Sequence, residues 1–137
     1  MKKKIIASIL IAFVVIAAAI FGYTKYANNK SDSLAKKQVT NIQNSDFNAI
    51  YANLASDVQS KYKDPSDFAA NFVQYGLLQE VSSIKLNSRT SYSGVYMYDY
   101  SLVRKDDASK GYRIMIKTTK GPVTFKVKDI SIQEDTF

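Results

Sequence analysis

The feature that most constrains this chain is an uninterrupted apolar stretch near its N-terminus. Residues 5–23 form 19 positions without a charged side chain, and they directly follow Lys2, Lys3 and Lys4. At about 1.5 Å of rise per residue, a helix of this length spans roughly 28 Å, which is close to the hydrocarbon thickness of a bilayer. We therefore expect residues 5–23 to cross the lipid bilayer as a single helix.

The lysines ahead of this stretch predict its orientation. Short flanks rich in lysine stay on the cytoplasmic side of a membrane, so the C-terminal part of the chain is expected outside the cell membrane. The alternative is a cleaved secretory signal and a secreted domain, because signal peptides also combine a basic start with an apolar core. Cleavage at Ala17–Ala19 would leave an apolar N-terminus, and this favours a retained anchor.

The composition of the remaining chain indicates one small domain held together by packing. The first 27 residues contain four lysines and no acid, so without them the formal net charge falls from +7 to +3. This mild excess argues against a nucleic-acid partner, which requires a concentrated basic surface. The chain has no cysteine and no histidine, which excludes disulfides, thiolate metal sites and the commonest catalytic base. We expect no metal and no cofactor, and a Gram-positive envelope suits such a domain.

Hydrophobic periodicity predicts three helices after the anchor (residues 1–24). A polar run at 25–33 predicts a tether, and the domain is expected at 34–137, its first helix capped by Ser31 or Ser33. Asn44–Asp46 predicts a break, followed by one helical stripe from Phe47 to Tyr62. The third helix is expected to begin at a Ser66 cap after Pro65 and to carry Phe68, Phe72, Val73 and Tyr75 as far as Gly76.

Beyond Gly76 the apolar spacing changes to two, which predicts four strands. Short, turn-forming connections between the strands require antiparallel neighbours. In the last strand the apolar positions change parity near Asp129, which predicts a bulge there. The fold is therefore expected to be α+β, with about three helices packed on a curved four-stranded antiparallel sheet.

The order of these elements resembles the NTF2-like (cystatin-like) superfamily over about residues 31–134. The resemblance is carried by residues 44–51 at one helix start, by 65–68 at the next, and by Tyr75-Gly76. It is closest to small membrane-anchored bacterial members of unknown function. It implies two further relatives: the periplasmic domain of VirB8-type conjugation proteins and the membrane-proximal domain of certain penicillin-binding proteins.

Three functions follow as expectations. The first is a non-enzymatic envelope protein that binds a protein partner or self-associates, and the second is a VirB8-like component of a conjugative type IV secretion system. The third is a small apolar ligand site, or an isomerase-like enzyme, in the cone between sheet and helices. A filled cone would exclude the third function, whereas an open cavity with a buried acid would favour it.

The second predicted strand carries the candidate ligand or partner residues. Tyr96, Tyr98 and Tyr100 share one face, and Tyr92 lies just before them. Tyrosines in this pattern either line a binding surface or cover the helices as part of the core. Asp99 points to the opposite face, as a surface or lysine-paired acid or, if it lies in an apolar cavity, as a base with a raised pKa.

Four basic residues form a predicted patch on the outer face of the last two strands. Arg113 and Lys117 share one strand face, and Lys126 and Lys128 share another. Outside a Gram-positive membrane, such a patch could hold an anionic cell-wall polymer or lipid head groups. The alternative is a solvated sheet face with lysines that protect its edge.

Overall fold

The structure is a computed structural model that describes residues 2–72, 81–120 and 124–137. The helices are α1 (Lys2–Gln43), α2 (Phe47–Asn53), α3 (Ser56–Gln59) and α4 (Pro65–Ala70), and the strands are β1 (Val81–Tyr92), β2 (Val95–Arg104), β3 (Lys110–Lys120) and β4 (Phe125–Thr136). The chain divides into two compact units, Met1–Lys30 and Ser31–Phe137.

The first unit contains the apolar stretch. Among the described residues, one helix is long and apolar enough to cross a membrane, and its most apolar part is unburied. Phe13 is 73% exposed and Phe21 is 74% exposed. Large apolar side chains in such a continuous exposed surface are typical of a membrane-spanning or signal-anchor helix rather than of a core helix.

The predicted tether at residues 25–33 is helical in the structure, since α1 runs without a break to Gln43. This run contains no proline or glycine, so nothing in its backbone interrupts the helix. Ser31 and Ser33 therefore lie inside the helix, and the prediction that one of them caps its start is wrong. The helix ends where a break was predicted, at Asn44–Asp46, and Asp46 caps α2 by accepting a hydrogen bond from the Ala49 amide.

The single helical stripe predicted from Phe47 to Tyr62 is divided in the structure. Leu54 is extended and forms a bridge with Val127 of β4, and the Ala55 amide donates to the Val127 carbonyl at 2.8 Å. Tertiary pairing with the sheet has therefore replaced the helical continuation that the spacing favours. Asp64, rather than the predicted Ser66, caps α4, because its carboxylate accepts from both first-turn amides.

The sheet has the predicted antiparallel order β1-β2-β3-β4. A tight turn joins β1 to β2, with positive φ at Ser93 and Gly94, as two-residue hairpin turns require. The α+β class and the four antiparallel strands are thus confirmed. Some predicted features lie outside the described residues. They are the predicted positions of Val73, Tyr75 and Gly76 in the third helix, that of Val123 in the last strand, and part of the turn at Lys120–Pro122.

Two β-bulges decide which side chains face the helices. In β4, Lys117 pairs with Asp129 while Thr118 pairs with Val127, so Lys128 is an extra residue and the predicted bulge near Asp129 is confirmed. In β1, Leu86 pairs with Tyr100 while Ser88 pairs with Asp99. Asn87 is therefore also an extra residue, which reverses the alternation for the rest of β1.

The core of the second unit lies between the last turns of α1 and the inner face of the sheet, defined here as the face that carries Tyr98. Ala35, Val39 and Ile42 of α1 are almost completely buried. Helices α2 and α4 and the residues just after α4 add an aromatic cluster, in which the ring centroids of Phe68 and Phe72 lie 5.0 Å apart. The strands contribute further large buried side chains to this core: Tyr96, Tyr98, Tyr100, Leu102, Tyr112, Ile114, Ile116, Val127 and Ile132.

Candidate ligand or partner cleft

Two polar residues of α1 attach this helix to the sheet. The Ser31 and Thr118 hydroxyl oxygens lie 2.5 Å apart, and both side chains are completely buried. The Asp32 carboxylate accepts hydrogen bonds from Arg89 at 3.0 and 2.8 Å and from the Tyr98 hydroxyl at 2.7 Å. These bonds fix both the rotation of the helix and its position along the sheet.

The bulge at Asn87 explains why Arg89 can reach Asp32. From Ile84 and Leu86, strict alternation would place Ser88 on the inner face and Arg89 on the outer face. The extra residue shifts this parity, so Arg89 pairs with Tyr98 on the inner face. The Asn87 amide donates to the Ser101 hydroxyl at 2.6 Å and thereby holds the bulge against β2.

Beside this network lies an apolar cleft of about 360 Å³. Its walls come from α1, β1 and β2, and its lining residues are Asp32, Lys36, Val39, Thr40, Ile84, Leu86, Tyr98 and Tyr100. Ile84 and Leu86 lie on the inner face of the sheet, opposite Leu102 and Tyr100. They nevertheless remain 40% and 45% exposed.

The chemistry of the cleft favours binding over proton transfer. Burial raises the pKa of the Tyr98 and Tyr100 hydroxyls above the ordinary value of 10.0, so both remain protonated at physiological pH. Asp32 is partly exposed and paired with Arg89, and hydrogen bonding to Asp32 raises the pKa of the Arg89 guanidinium. An isolated buried acid, which the isomerase-like alternative requires, is therefore not supplied by Asp32.

The tyrosine series is divided by the structure. Tyr96, Tyr98 and Tyr100 are buried, which confirms that they belong to the core. Tyr98 and Tyr100 also line the cleft, but Tyr98 has no exposed surface and Tyr100 is only 6% exposed. Tyr92 is 87% exposed at the end of β1, and it pairs with Val95 on the outer face, away from the cleft.

Asp99 lies on the outer face, and its environment contradicts a base with a raised pKa. Arg113 donates to its carboxylate at 2.6 to 3.1 Å, and Asn87 donates at 3.4 Å. Chiefly because of the Arg113 hydrogen bonds, the pKa of Asp99 is held below its ordinary value of 3.8. The expected lysine partner was also wrong, because the partner is Arg113, which lies diagonally across from Asp99 and two residues before its register partner Met115.

The four basic residues of the predicted patch are occupied by partners within the domain. Arg113 pairs with Asp99, Lys117 with Asp129, and Lys128 with Asp57. The Lys126 amino group donates to the Ala52 carbonyl at 3.3 Å. Strand parity alone predicted four free positive charges on this face, but three carboxylates neutralise most of that charge. This weakens the prediction that the face binds an anionic cell-wall polymer.

Comparison with known proteins adds no assignment to this site. No family model, no curated protein and no solved structure matches the chain. Within residues 2–72, 81–120 and 124–137, no group of three or more acidic side chains is arranged to hold a metal ion. The evidence for the candidate site is therefore its geometry: an apolar cleft, an ion-paired rim and two exposed aliphatic side chains.

The Tyr98 hydroxyl should contribute to the attachment of α1. Tyr98→Phe removes a hydrogen bond to a charged, partly exposed acceptor and is expected to lower the free energy of unfolding by about 1.5 kcal/mol. Urea unfolding of the full chain in detergent, followed by far-UV circular dichroism, measures this change. Tyr92→Phe is the matched control, because Tyr92 is exposed, and equal effects of the two substitutions would contradict the assigned role.

The ion pair of Asp99 predicts a pH dependence of stability. The pKa of Asp99 is lowered in the folded state, so its contribution is present above the unfolded value of about 3.8 and is lost as the pH falls through the folded value. Asp99→Asn should therefore destabilise the protein at pH 7 and have progressively less effect below pH 4. Urea unfolding at a series of pH values tests this, with Glu134→Gln as an acid-to-amide control. A pH-independent effect of Asp99→Asn would disprove the assignment.

Proposed function

We propose that this protein is a membrane-anchored extracytoplasmic binding protein of a Gram-positive bacterial envelope. Its second unit, residues 31–137, is proposed to be an NTF2-like domain that acts through protein contacts rather than catalysis. The order of helices followed by a four-stranded antiparallel sheet supports this family proposal. The N-terminal helix would keep the domain at the outer surface of the membrane.

The observation that carries the proposal is the apolar cleft with its uncovered border. Exposed aliphatic side chains are usual when scattered singly, but adjoining ones beside a concave apolar surface indicate a contact site. Ile84 and Leu86 adjoin the rings of Tyr98 and Tyr100 in this way. Covering a half-exposed aliphatic side chain such as Ile84 or Leu86 contributes about 1 kcal/mol.

The state of the charged groups supports a binding role. In the cleft, Asp32 is ion-paired with Arg89, and burial keeps the two phenols in their protonated form. None of these three groups is therefore a free general base. Asp99 lies on the outer face of the sheet, away from Tyr98 and Tyr100. Hydrogen bonding to Arg113 lowers its pKa and keeps it ionised. Asp99 and the tyrosine hydroxyls therefore do not converge, and the acid that does meet Tyr98, Asp32, is already paired with Arg89.

A small apolar ligand is the second candidate function. The volume of the cleft, about 360 Å³, falls within the range of small-molecule sites. Such a ligand would occupy the same space between α1 and the sheet as an apolar side chain of a protein partner. A cross-linking experiment distinguishes the two candidates, because a protein partner would give an adduct of much larger mass than a small ligand.

The proposed orientation can be tested with single cysteines, because the native chain has none. In intact cells, a membrane-impermeant maleimide should label Ser131→Cys and should label Lys3→Cys only after the cells are permeabilised. Labelling of Lys3→Cys in intact cells, or protection of Ser131→Cys, would contradict the orientation. The mass of the purified chain distinguishes a retained anchor from a cleaved signal.

The proposed contact surface can be tested by replacing Leu86 with a photoreactive phenylalanine in living cells. We expect illumination to produce a discrete adduct with an envelope protein, because Leu86 borders the cleft and is partly exposed. Gln133, on the outer face of β4, provides the control position, and Tyr92 tests the exposed end of the tyrosine series. Mass spectrometry identifies the attached molecule.

The outcomes of this cross-linking separate the proposals. A protein adduct at Leu86 but not at Gln133 supports the binding function, and an adduct of small mass supports the ligand alternative. A dimer of the chain itself would identify self-association as the function of this surface. Identical adducts at Leu86 and Gln133, or none at Leu86, would contradict a binding site at the cleft.

A further inference from the structure

Strand β1 forms an edge of the sheet with an unusually open surface. Its outer edge has no strand partner among the described residues, and 11 of its 12 residues are exposed. The opposite edge differs, because Leu54 and Ala55 bond to β4 at Val127. Exposed edges carry unpaired amide and carbonyl groups that can accept another strand.

Two bulges limit the part of β1 that can accept a strand. Register shifts occur between Val81 and Ser83 and between Leu86 and Ser88. The Ser82 hydroxyl donates to the Val103 carbonyl at 3.3 Å, and Asn87 is held by β2. The four residues between the bulges, Ser83–Leu86, form a regular segment, which we call the edge segment.

The edge segment presents different chemistry on its two faces. Ile84 and Leu86 project to the inner face beside the cleft, whereas Lys85 pairs with Ser101 on the outer face. An added strand with alternating side chains would therefore place one set beside the cleft and the other beside Lys85. Apolar residues suit the first set and acidic residues suit the second.

The charges near the edge segment define the partner. Strand β1 contains Lys85 and Arg89 and no acid, and Lys36 lies on the cleft rim. Arg89 is neutralised by Asp32, whereas Lys36 and Lys85 have no ion pair in the described part of the chain. A second copy of β1 would place lysine near lysine, which is unfavourable, so charge complementarity favours an acidic segment of another protein.

We propose that the edge segment accepts an extended acidic segment of an envelope protein as a fifth strand of the sheet, with its apolar side chains entering the cleft. This inference rests on the proposed binding function and adds the mode of recognition and the chemistry of the partner. Backbone hydrogen bonds to the edge provide the register, and the cleft and lysines provide specificity.

The test uses the full chain in detergent and an acetylated, amidated ten-residue peptide in which valine alternates with glutamate. Isothermal titration calorimetry should show binding, and hydrogen exchange should show slower exchange of β1 amides in the complex. A peptide with lysine in place of glutamate should bind at least about fivefold more weakly. A copy methylated at every peptide nitrogen should not bind, because it cannot donate backbone hydrogen bonds.

Variants of the protein locate the interaction. Lys85→Glu should weaken peptide binding by at least about fivefold, which corresponds to roughly 1 kcal/mol for an exposed charge pair. Lys105→Glu is the matched control, because it makes the same charge change at an exposed residue outside β1 and should leave binding unchanged. Leu86→Ser should also weaken binding, and circular dichroism verifies that each variant is folded.

Three results would overturn the inference. They are absence of binding by the valine–glutamate peptide, equal binding by its methylated copy, and equal effects of Lys85→Glu and Lys105→Glu. A disulfide-linked dimer of Ser83→Cys would instead identify a second copy as the occupant of the edge. If Leu86 cross-links to a protein in cells but the peptide does not bind, the proposed function stands and strand addition is wrong.

Discussion

The packing of the last turns of α1 against the inner face of the sheet is the interaction on which the rest of the domain depends. Apart from Thr118, the buried side chains on the inner face of β2 and β3 are tyrosine and aliphatic, and a sheet with such a face requires a cover. Apolar burial supplies the free energy for this packing but does not by itself fix its geometry, because it is not directional. The Ser31–Thr118 bond and the contacts of Asp32 provide that direction.

The position of α1 also creates the candidate site. Helix α1 contacts β1 through the Asp32–Arg89 pair, but the inner-face side chains Ile84 and Leu86 of β1 stay partly exposed beside it. The cleft lies between α1 and these two side chains. A strand edge beside an open apolar surface is a hazard for aggregation, and the two bulges and Lys85 limit it. The same features leave a short segment with defined chemistry for a partner.

On the outer face of the sheet, ion pairs change the charge that strand parity predicts. Alternation correctly places Arg113 and Lys117 on one face, but it contains no information about the acids that lie across from them. Strand register brings Asp99 to Arg113 and Asp129 to Lys117. The surface is thereby largely neutralised, and the edge of β1, which has no strand partner among the described residues, becomes the more distinctive feature.

The sequence by itself determined the features that depend on local pattern: the apolar helix, the break at Asn44–Asp46, the four strands and the bulge near Asp129. Each leaves a signal in consecutive residues, because charge-free length, capping residues and parity are local properties. Only the tertiary structure decided that residues 25–33 are helical, that Leu54 leaves its helix for the sheet, and that Asn87 turns Arg89 inward. Asp32 lies 57 residues from Arg89 and 66 from Tyr98 in the chain. Contacts over such separations depend on strand register and helix placement, which are set by the packing of the whole domain.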